Sequence, residues 1–200
     1  MTKDPAARAY HHGNLKPALI EAGLEMLESD GLKNLSLRAV AARVGVSHTA
    51  PKNHFGSLRG FHTALATEGF RRHRAYMQDS VGHGATRGDA LLAALSGYVR
   101  FAREFPQLFE LMFSPMFCDH DAPDLAEAAS GSYAVLRTIA TGLDWDKADA
   151  SEGQYRTEMM LWSFVHGYAT LMNAGQFSTG PDGTPLFGPN EVIPSFDYRD

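Results

Sequence analysis

Two short helical segments separated by a three-residue turn constrain the fold more than any other feature of this chain. Apolar residues recur at helical spacing over 37–44, and Ser36 stands just before them, where an N-cap belongs. Gly45-Val46-Ser47 separates this segment from a short polar one over about 48–54, which Ser47 is expected to cap. Two short helices joined by such a turn are typical of a helix-turn-helix, whose second helix lies in the major groove of DNA. The alternative is a generic helical hairpin with a polar outer helix.

Small and branched side chains in this region predict how the two helices pack. Ala41 and Gly45 are small enough for a close helix crossing. Val40, Val44 and Val46 are expected to fill the space beneath it. The exposed residues of the second helix would be those that can hydrogen-bond to base edges or phosphates, namely His48, Thr49, Lys52 and Asn53.

The distribution of charge favours DNA over the generic hairpin. The chain of 200 residues has a formal net charge of −5, which by itself does not indicate a nucleic-acid binder. Residues 1–75 hold eleven Lys or Arg and six Asp or Glu, which gives a net charge of +5. The other 125 residues hold seven Lys or Arg and seventeen Asp or Glu, which gives a net charge of −10. A basic module joined to an acidic one fits a protein that meets phosphates through one part only.

Apolar periodicity predicts helices along most of the remaining chain, so we expect an all-α fold. Asp89 is expected to cap one of these helices, and Ser151 and Gln154 to form a capping box at another. The predicted helices outside the helix-turn-helix cover about 14–29, 58–79, 89–104, a short segment from 106, 123–142 and 152–174. From 178 to 200 the chain has no helical period. We expect an extended coil there, laid over the molecule through Leu186, Phe187, Val192, Ile193 and Phe196, with disorder as the alternative.

Several stretches carry a resemblance to a known family. The stretches are Tyr10-His11-His12-Gly13-Asn14-Leu15, Leu35-Ser36-Leu37-Arg38-Ala39-Val40-Ala41, Gly45-Val46-Ser47, Ala50-Pro51 and His54-Phe55. Together they resemble the DNA-binding domain of the TetR family of bacterial transcriptional regulators, over about residues 10–57. Trp162-Ser163-Phe164-Val165-His166-Gly167 resembles the Trp…His-Gly signature in the C-terminal domain of one subgroup.

The resemblance implies a domain organisation. An N-terminal arm and a three-helix DNA-binding domain would cover 1–57, and a connecting helix 58–80. A helical effector-binding and dimerisation domain would cover 81–177, and the extended tail 178–200. It also implies that DNA-binding residues lie at the start of the first helix and around the recognition helix: Tyr10, His11, His12, Asn14, Ser36, Arg38, Ser47, His48, Thr49, Lys52, Asn53, His54 and Arg59. Two positions depart from the family pattern, since Lys52 replaces a usual tyrosine and Leu58 a usual lysine.

The segment 159–172 is apolar on most sides, so a second surface must cover part of it. We expect a homodimer through the helices of about 123–142 and 152–174. A two-fold dimer would present two recognition helices roughly 34–36 Å apart to a palindromic operator. The resemblance implies the same assembly.

Aromatic, Met and His side chains flank helix breaks in the acidic part of the chain. Such side chains suit a pocket for a small-molecule effector, and the candidates are Phe109, Met112, Phe113, Met116, Phe117, Trp162 and His166. Plain hydrophobic core remains the alternative for each of them. TetR-like regulators generally release DNA when an effector enters this domain, so the resemblance implies a repressor.

Motifs for catalysis are weak, and we expect neither an enzyme nor a cofactor or metal site. Cys118-Asp119-His120 are neighbours on a predicted loop, a poor geometry for a nucleophile and its base. The single cysteine suits a reducing cytoplasm, and no apolar run approaches the roughly 18 residues of a membrane span. The alternative function is a helical small-molecule or partner-binding protein whose DNA binding is weakened or lost.

Overall fold

The computed structural model describes residues 15–82, 85–143 and 150–193, and within these ranges the chain is helical without β-strands. A single antiparallel bridge pairs Thr179 with Pro185. The helices are α1 (Leu15–Asp30), α2 (Leu37–Val44), α3 (Ala50–Phe55), α4 (Leu58–Asp79), α5 (Arg87–Glu104), α6 (Pro106–Met112), α7 (Pro123–Ala140), α8 (Ala150–Asn173) and α9 (Pro189–Val192), with a short 3-10 turn at Leu32–Asn34. The all-α prediction is therefore confirmed.

The helix-turn-helix forms at α2 and α3 as the sequence predicts. Ser36 caps α2, because its Oγ accepts a hydrogen bond from the backbone N–H of Ala39 at 3.2 Å. Gly45 ends α2 with a φ of 77°, a left-handed conformation that favours glycine. The expectation that Gly45 permits a close helix crossing is wrong, since a Cβ there would have nothing within 4 Å.

The predicted cap at Ser47 is also wrong. Residues 47–50 form a hydrogen-bonded turn, with the Ala50 N–H donating to the Ser47 carbonyl at 2.9 Å. That turn delays the helix, so α3 begins at Ala50 with Thr49 in the N-cap position. Ser47 Oγ instead lies 2.9 Å from Thr49 Oγ1.

Helix α4 has the bounds predicted for it and runs from the helix-turn-helix into the C-terminal part. Ser57 caps it by accepting a hydrogen bond from Gly60 N–H at 3.0 Å. Its buried face packs against α5, α6 and α7 as well as α1. Two glycines allow close approach, since a Cβ at Gly23 would meet the Phe61 ring and one at Gly97 would meet the Tyr76 carbonyl oxygen.

Helix α5 begins earlier than predicted. Thr86, not Asp89, is its N-cap residue, and the two form a reciprocal capping box. The Asp89 N–H donates to Thr86 Oγ1 at 3.1 Å, and the Thr86 N–H donates to Asp89 Oδ2 at 3.2 Å. The pair satisfies two N–H groups at once, which favours this start over one at Asp89.

The C-terminal helices and the tail also differ in detail from expectation. Helix α8 begins at Ala150, and the Gln154 amide donates to Glu158 Oε1 at 2.8 Å and to the Arg137 carbonyl at 3.3 Å. The predicted partner, the Ser151 side chain, lies outside the described part. A continuous extended coil after 178 is wrong, because the bridge and α9 interrupt it. The Tyr168 hydroxyl donates to the Phe187 carbonyl at 2.5 Å, and Ile193 is buried. Leu186, Phe187 and Val192 stay exposed, and Phe196 lies outside the described residues.

Candidate DNA-binding surface and effector cavity

Helix α3 presents a polar surface to solvent. His48 and Thr49 in the preceding turn and Lys52, Asn53 and His54 on the helix are exposed, whereas Pro51 is buried against the rest of the domain. These side chains offer donors and acceptors of the kinds that read base edges and phosphates. The arrangement is that of a recognition helix.

Near this surface, one basic side chain forms an ion pair and two others do not, among the residues that the structure describes. Arg43 pairs with Glu25 at 3.1 Å, whereas Arg38 and Lys52 form no ion pair with any residue that the structure describes. Both are exposed and available to phosphates. Tyr10, His11, His12 and Asn14, predicted to flank the start of α1, lie outside the described residues.

Arg59 points partly toward the C-terminal part of the chain. Its guanidinium donates to the Cys118 carbonyl at 3.0 Å, in the loop between α6 and α7. Thr63, one turn further along α4, accepts a hydrogen bond from the Asp119 N–H at 3.0 Å. These two bonds fasten the start of α4 to that loop, a role that the sequence did not predict for Arg59.

Glu28 forms a second link between the two parts of the chain. Its Oε1 accepts the Leu108 N–H at 2.8 Å, and its Oε2 accepts the Gln107 N–H at 3.3 Å. Both N–H groups belong to the first turn of α6, where a carboxylate is favoured. Burial nevertheless raises the pKa of Glu28 above its ordinary value. The carboxylate joins α1 to α6.

An apolar cavity of about 450 Å³ lies between α4, α5, α7 and α8. We call it the effector cavity. Its apolar walls come mainly from Phe70, Tyr98, Phe113, Leu136, Met159 and Trp162, and its polar lining from His73, His120, Ser130, Ser132, Tyr133 and Tyr155. Its size and lining are typical of small-molecule sites.

His73 is a deeply buried polar residue of this cavity. Its Nδ1 lies 2.7 Å from Ser132 Oγ, and its Nε2 has no hydrogen-bond partner in the described chain. Burial, with His166 nearby, lowers the pKa of His73 to about 3, so the imidazole is neutral near pH 7. The ring packs edge-on against Tyr98, with centroids 4.2 Å apart.

A hydrogen-bonded group joins α5 to α8 beside the cavity. The Tyr98 hydroxyl lies 2.9 Å from His166 Nδ1. Burial raises the pKa of Tyr98 and lowers that of His166. His166 is thus partnered through its Nδ1 within the protein.

The structure separates the residues predicted to form the effector pocket. Phe113 and Trp162 line the effector cavity, whereas Phe109 and His166, again with Phe113, line a second hollow of about 410 Å³. Met112 is buried in the core, where it packs against Gly69, and lines neither space. Met116 is 77% exposed, and Phe117 contacts the His62 ring.

Sequence reasoning missed His73, Tyr98, Ser132 and Tyr133 as cavity residues. One signal for His73 was present, because Phe70, His73 and Met77 occupy one apolar stripe of α4. Its pairing with Ser132, 59 residues away, is a long-range contact that periodicity does not show.

The described residues give little support for a reactive cysteine, a metal site or a membrane-spanning helix. Cys118 is buried and donates to the Leu111 carbonyl, and burial raises the pKa of its thiol to about 11. Within 15–82, 85–143 and 150–193, no three His, Cys, Asp or Glu side chains form a group that could hold a metal. None of the described helices combines the length and apolar character required to cross a membrane.

Comparisons with known proteins agree with this architecture. Residues 91–188 match the family described as tetracyclin repressor-like, C-terminal domain. An uncharacterized HTH-type transcriptional regulator of Mycobacterium tuberculosis is 26% identical over 167 residues, which is 80% of this chain and 71% of that protein.

Solved structures share the fold. A protein of unknown function from Rhodococcus sp. RHA1 is 30% identical with a TM-score of 0.71, covering 92% of each chain. A TetR variant from Acinetobacter baumannii AYE, in complex with minocycline, is 16% identical with a TM-score of 0.57, covering 84% of this chain and 86% of that one. The exposed recognition helix, the apolar cavity and these relatives lead to one conclusion: the chain belongs to the TetR family and is a DNA-binding transcriptional regulator with a helical ligand-binding domain.

Proposed function

We propose that this regulator is a homodimeric repressor that leaves a palindromic operator when a small molecule enters the effector cavity. The observation that carries the proposal is the combination, in one chain, of an exposed polar recognition helix with an apolar cavity, connected by α4. The cavity is walled by α4 itself through Phe70 and His73. An occupant therefore contacts the helix that begins beside α3.

DNA contact is assigned to the residues that the sequence singled out. His48, Thr49 and Asn53 would face the major groove, with Lys52 and Arg38 on neighbouring phosphates. Tyr10, His11, His12 and Asn14 would meet phosphates near the start of α1. Ser36, Ser47, His54 and Arg59 complete the predicted set; Ser36 also caps α2, and Arg59 also holds the α6–α7 loop.

Two connections support coupling between the cavity and the DNA-binding domain. The bonds of Arg59 and Thr63 to the α6–α7 loop form one connection, and the Glu28 carboxylate at α6 forms the other. An effector shifts the equilibrium only if it binds the released conformation more tightly than the DNA-bound one. Movement of α4 or α6 by the effector would alter these bonds.

A partly uncovered apolar stripe on α8 supports the dimer. Met160, Phe164, Gly167 and Leu171 follow helical spacing on a face different from the buried one, and Leu171 is 47% exposed. A Cβ on Gly167 would have nothing within 4 Å, so open space lies over this face. A second copy of α7 and α8 would cover the stripe in a two-fold interface.

Fluorescence anisotropy with labelled DNA tests the proposal. The DNA upstream of the protein's own gene is compared with a shuffled duplex of the same length and composition, at several salt concentrations. We expect the upstream DNA to bind at least 1,000-fold more tightly, the lower range of specific recognition. Equal affinity for the two duplexes would favour the alternative, a ligand-binding helical protein without operator recognition.

A further inference from the structure

One residue in the lining of the effector cavity has a buried hydrogen-bonding atom without a partner within the described part of the chain. The His73 side chain is buried, with 2% of the residue exposed, and its Nε2 makes no hydrogen bond. Native proteins pair nearly all buried polar groups, because leaving one unpaired costs about 1–3 kcal/mol. An unpaired nitrogen on a residue that lines an open cavity therefore points to a ligand that pairs it.

The partner of Nδ1 determines what Nε2 offers. Ser132 Oγ lies 2.7 Å from Nδ1, and the Ser132 hydroxyl has no other acceptor among the described residues. We therefore assign the Ser132 hydroxyl as the donor to Nδ1. A neutral imidazole carries one proton, which then sits on Nε2 and makes that atom a donor. The unpaired group is an N–H, and its missing partner is an acceptor.

The remaining polar groups at the cavity are already engaged or lie at its rim. The Tyr133 hydroxyl donates to Glu158 Oε2 at 2.9 Å, and the Tyr98 hydroxyl bonds to His166. Ser130, His120 and Tyr155 are exposed. Among the described lining residues, His73 Nε2 is thus the one fully buried polar side-chain atom without a hydrogen-bond partner.

Charge at the cavity is low. No Lys, Arg, Asp or Glu belongs to the lining set, whose members are mainly aromatic and aliphatic. A carboxylate or an ammonium group would lose its hydration there without an opposite charge to replace it. The lining favours an uncharged ligand with a flat or cyclic apolar body.

We propose that the effector cavity takes an uncharged carbonyl compound with an aromatic or alicyclic body, whose oxygen accepts a hydrogen bond from His73 Nε2. The proposal rests on the proposed function, because it assigns the chemical class of the effector in the same cavity. Three probes separate the classes. 2-Acetylnaphthalene supplies the carbonyl, 2-isopropenylnaphthalene replaces its oxygen with a CH₂ group at nearly the same shape, and 2-naphthoate adds a charge.

Isothermal titration calorimetry of the full chain with each probe tests the proposal. We expect the ketone to bind about fivefold to tenfold more tightly than the hydrocarbon, the effect of one buried hydrogen bond, and 2-naphthoate to bind most weakly. The His73→Phe variant keeps a ring against Tyr98 but has no N–H, so it should bind both neutral probes equally. The His73→Gln variant retains a donor near the same place and should keep part of the preference.

Equal affinity of the wild-type protein for the two neutral probes would overturn the proposal. So would tightest binding of 2-naphthoate, no measurable binding of the ketone, or a full ketone preference in folded His73→Phe. If that variant loses its helical circular dichroism, the wild-type comparison alone decides. Operator binding is measured separately, so a failed ketone preference with intact operator recognition rejects only the ligand class. A ketone preference without operator recognition would instead reject the repressor function.

Discussion

At the scale of single residues, the burial of His73 affects both the stability of the fold and the proposed ligand site. Its imidazole is buried among Tyr98, Phe101 and Ser132, with His166 close enough to disfavour a second positive charge. Burial places the pKa at about 3, against 6.5 for the free side chain. The protein therefore folds with this histidine neutral at any pH above about 4.

That burial predicts how stability depends on pH. Between pH 6.5 and 3 the unfolded chain binds a proton at His73 that the folded chain does not bind, so the free energy of unfolding falls as the pH falls through this window. From pH 7 to pH 5 the loss from this one group is about 2 kcal/mol. Urea unfolding at both pH values, at fixed protein concentration, measures it.

The His73→Gln variant is the control, because it removes the titrating group and leaves the other histidines in place. Its loss of stability between pH 7 and pH 5 should be smaller than that of the wild-type protein by about 2 kcal/mol. Equal losses in the two proteins would show that His73 is not held neutral by the fold.

Residue-scale detail was the least predictable from sequence. The cap expected at Ser47 is absent because residues 47–50 form a hydrogen-bonded turn and α3 begins only at Ala50. The cap expected at Asp89 is replaced by Thr86, which forms a reciprocal pair with Asp89. The His73–Ser132 contact joins residues from α4 and α7, which only tertiary packing brings together. Sequence spacing carries no information about such a pair.

At the scale of elements, apolar spacing was sufficient to locate most helices. The bounds of α2 and α4 were predicted because their buried faces repeat at three and four residues and a serine precedes each. The effector pocket was harder, because Met112, Phe113 and Trp162 look alike in sequence but point into the core or into the cavity according to helix rotation. Two of the seven predicted residues line the effector cavity.

The hydrogen bonds of Glu28, which join α1 to α6, are expected to stabilise the fold. Glu28→Ala removes the acceptor of two N–H groups in a partly buried place, so the free energy of unfolding should fall by about 1–2 kcal/mol. Glu25→Ala is the matched control, since Glu25 lies on the same helix in an exposed ion pair with Arg43 and its loss should cost less than about 0.5 kcal/mol. Equal costs in urea unfolding would contradict the assigned role of Glu28.

Helix α3 gives a second prediction at this scale. Lys52 is exposed and has no ion-pair partner among the residues described, so we expect it to contact a phosphate. Lys52→Ala should weaken binding to all DNA sequences alike and lower the slope of log K against log salt by about one. Arg103→Ala, an exposed change on α5, should leave the slope unchanged. A Lys52→Ala variant with an unchanged slope and an altered base preference would show that Lys52 reads bases.

At the scale of the whole molecule, the uneven charge distribution and the partly exposed stripe on α8 both fit the proposed homodimer bound to DNA. The basic N-terminal part meets DNA, and the acidic C-terminal part carries the cavity and the proposed dimer interface. In the proposed dimer, a second copy would cover the partly exposed stripe of Met160, Phe164, Gly167 and Leu171 with two-fold symmetry. This proposed dimer would also fix the distance between the two α3 helices.

Leu171→Glu tests the assembly. The charge would be buried in the interface of the dimer but solvated in a single chain, so dimerisation should weaken by more than tenfold. Light scattering at micromolar concentration should give twice the 21.8 kDa chain mass for the wild-type protein and a lower mass for the variant. Leu186→Glu, an equally exposed change in the tail, is the control. A wild-type mass of one chain would contradict the proposed interface.

Hydroxyl-radical footprinting on the DNA upstream of the gene is the decisive experiment for a dimeric regulator, because it reports where both copies of α3 lie. We predict two protected segments on the same face of the duplex, related by two-fold symmetry and separated by roughly 34–36 Å or a multiple of that distance. The Lys52→Ala variant should protect the same segments at higher protein concentration. A single protected segment, or protection without symmetry, would contradict a dimeric regulator that reads a palindromic operator through α3.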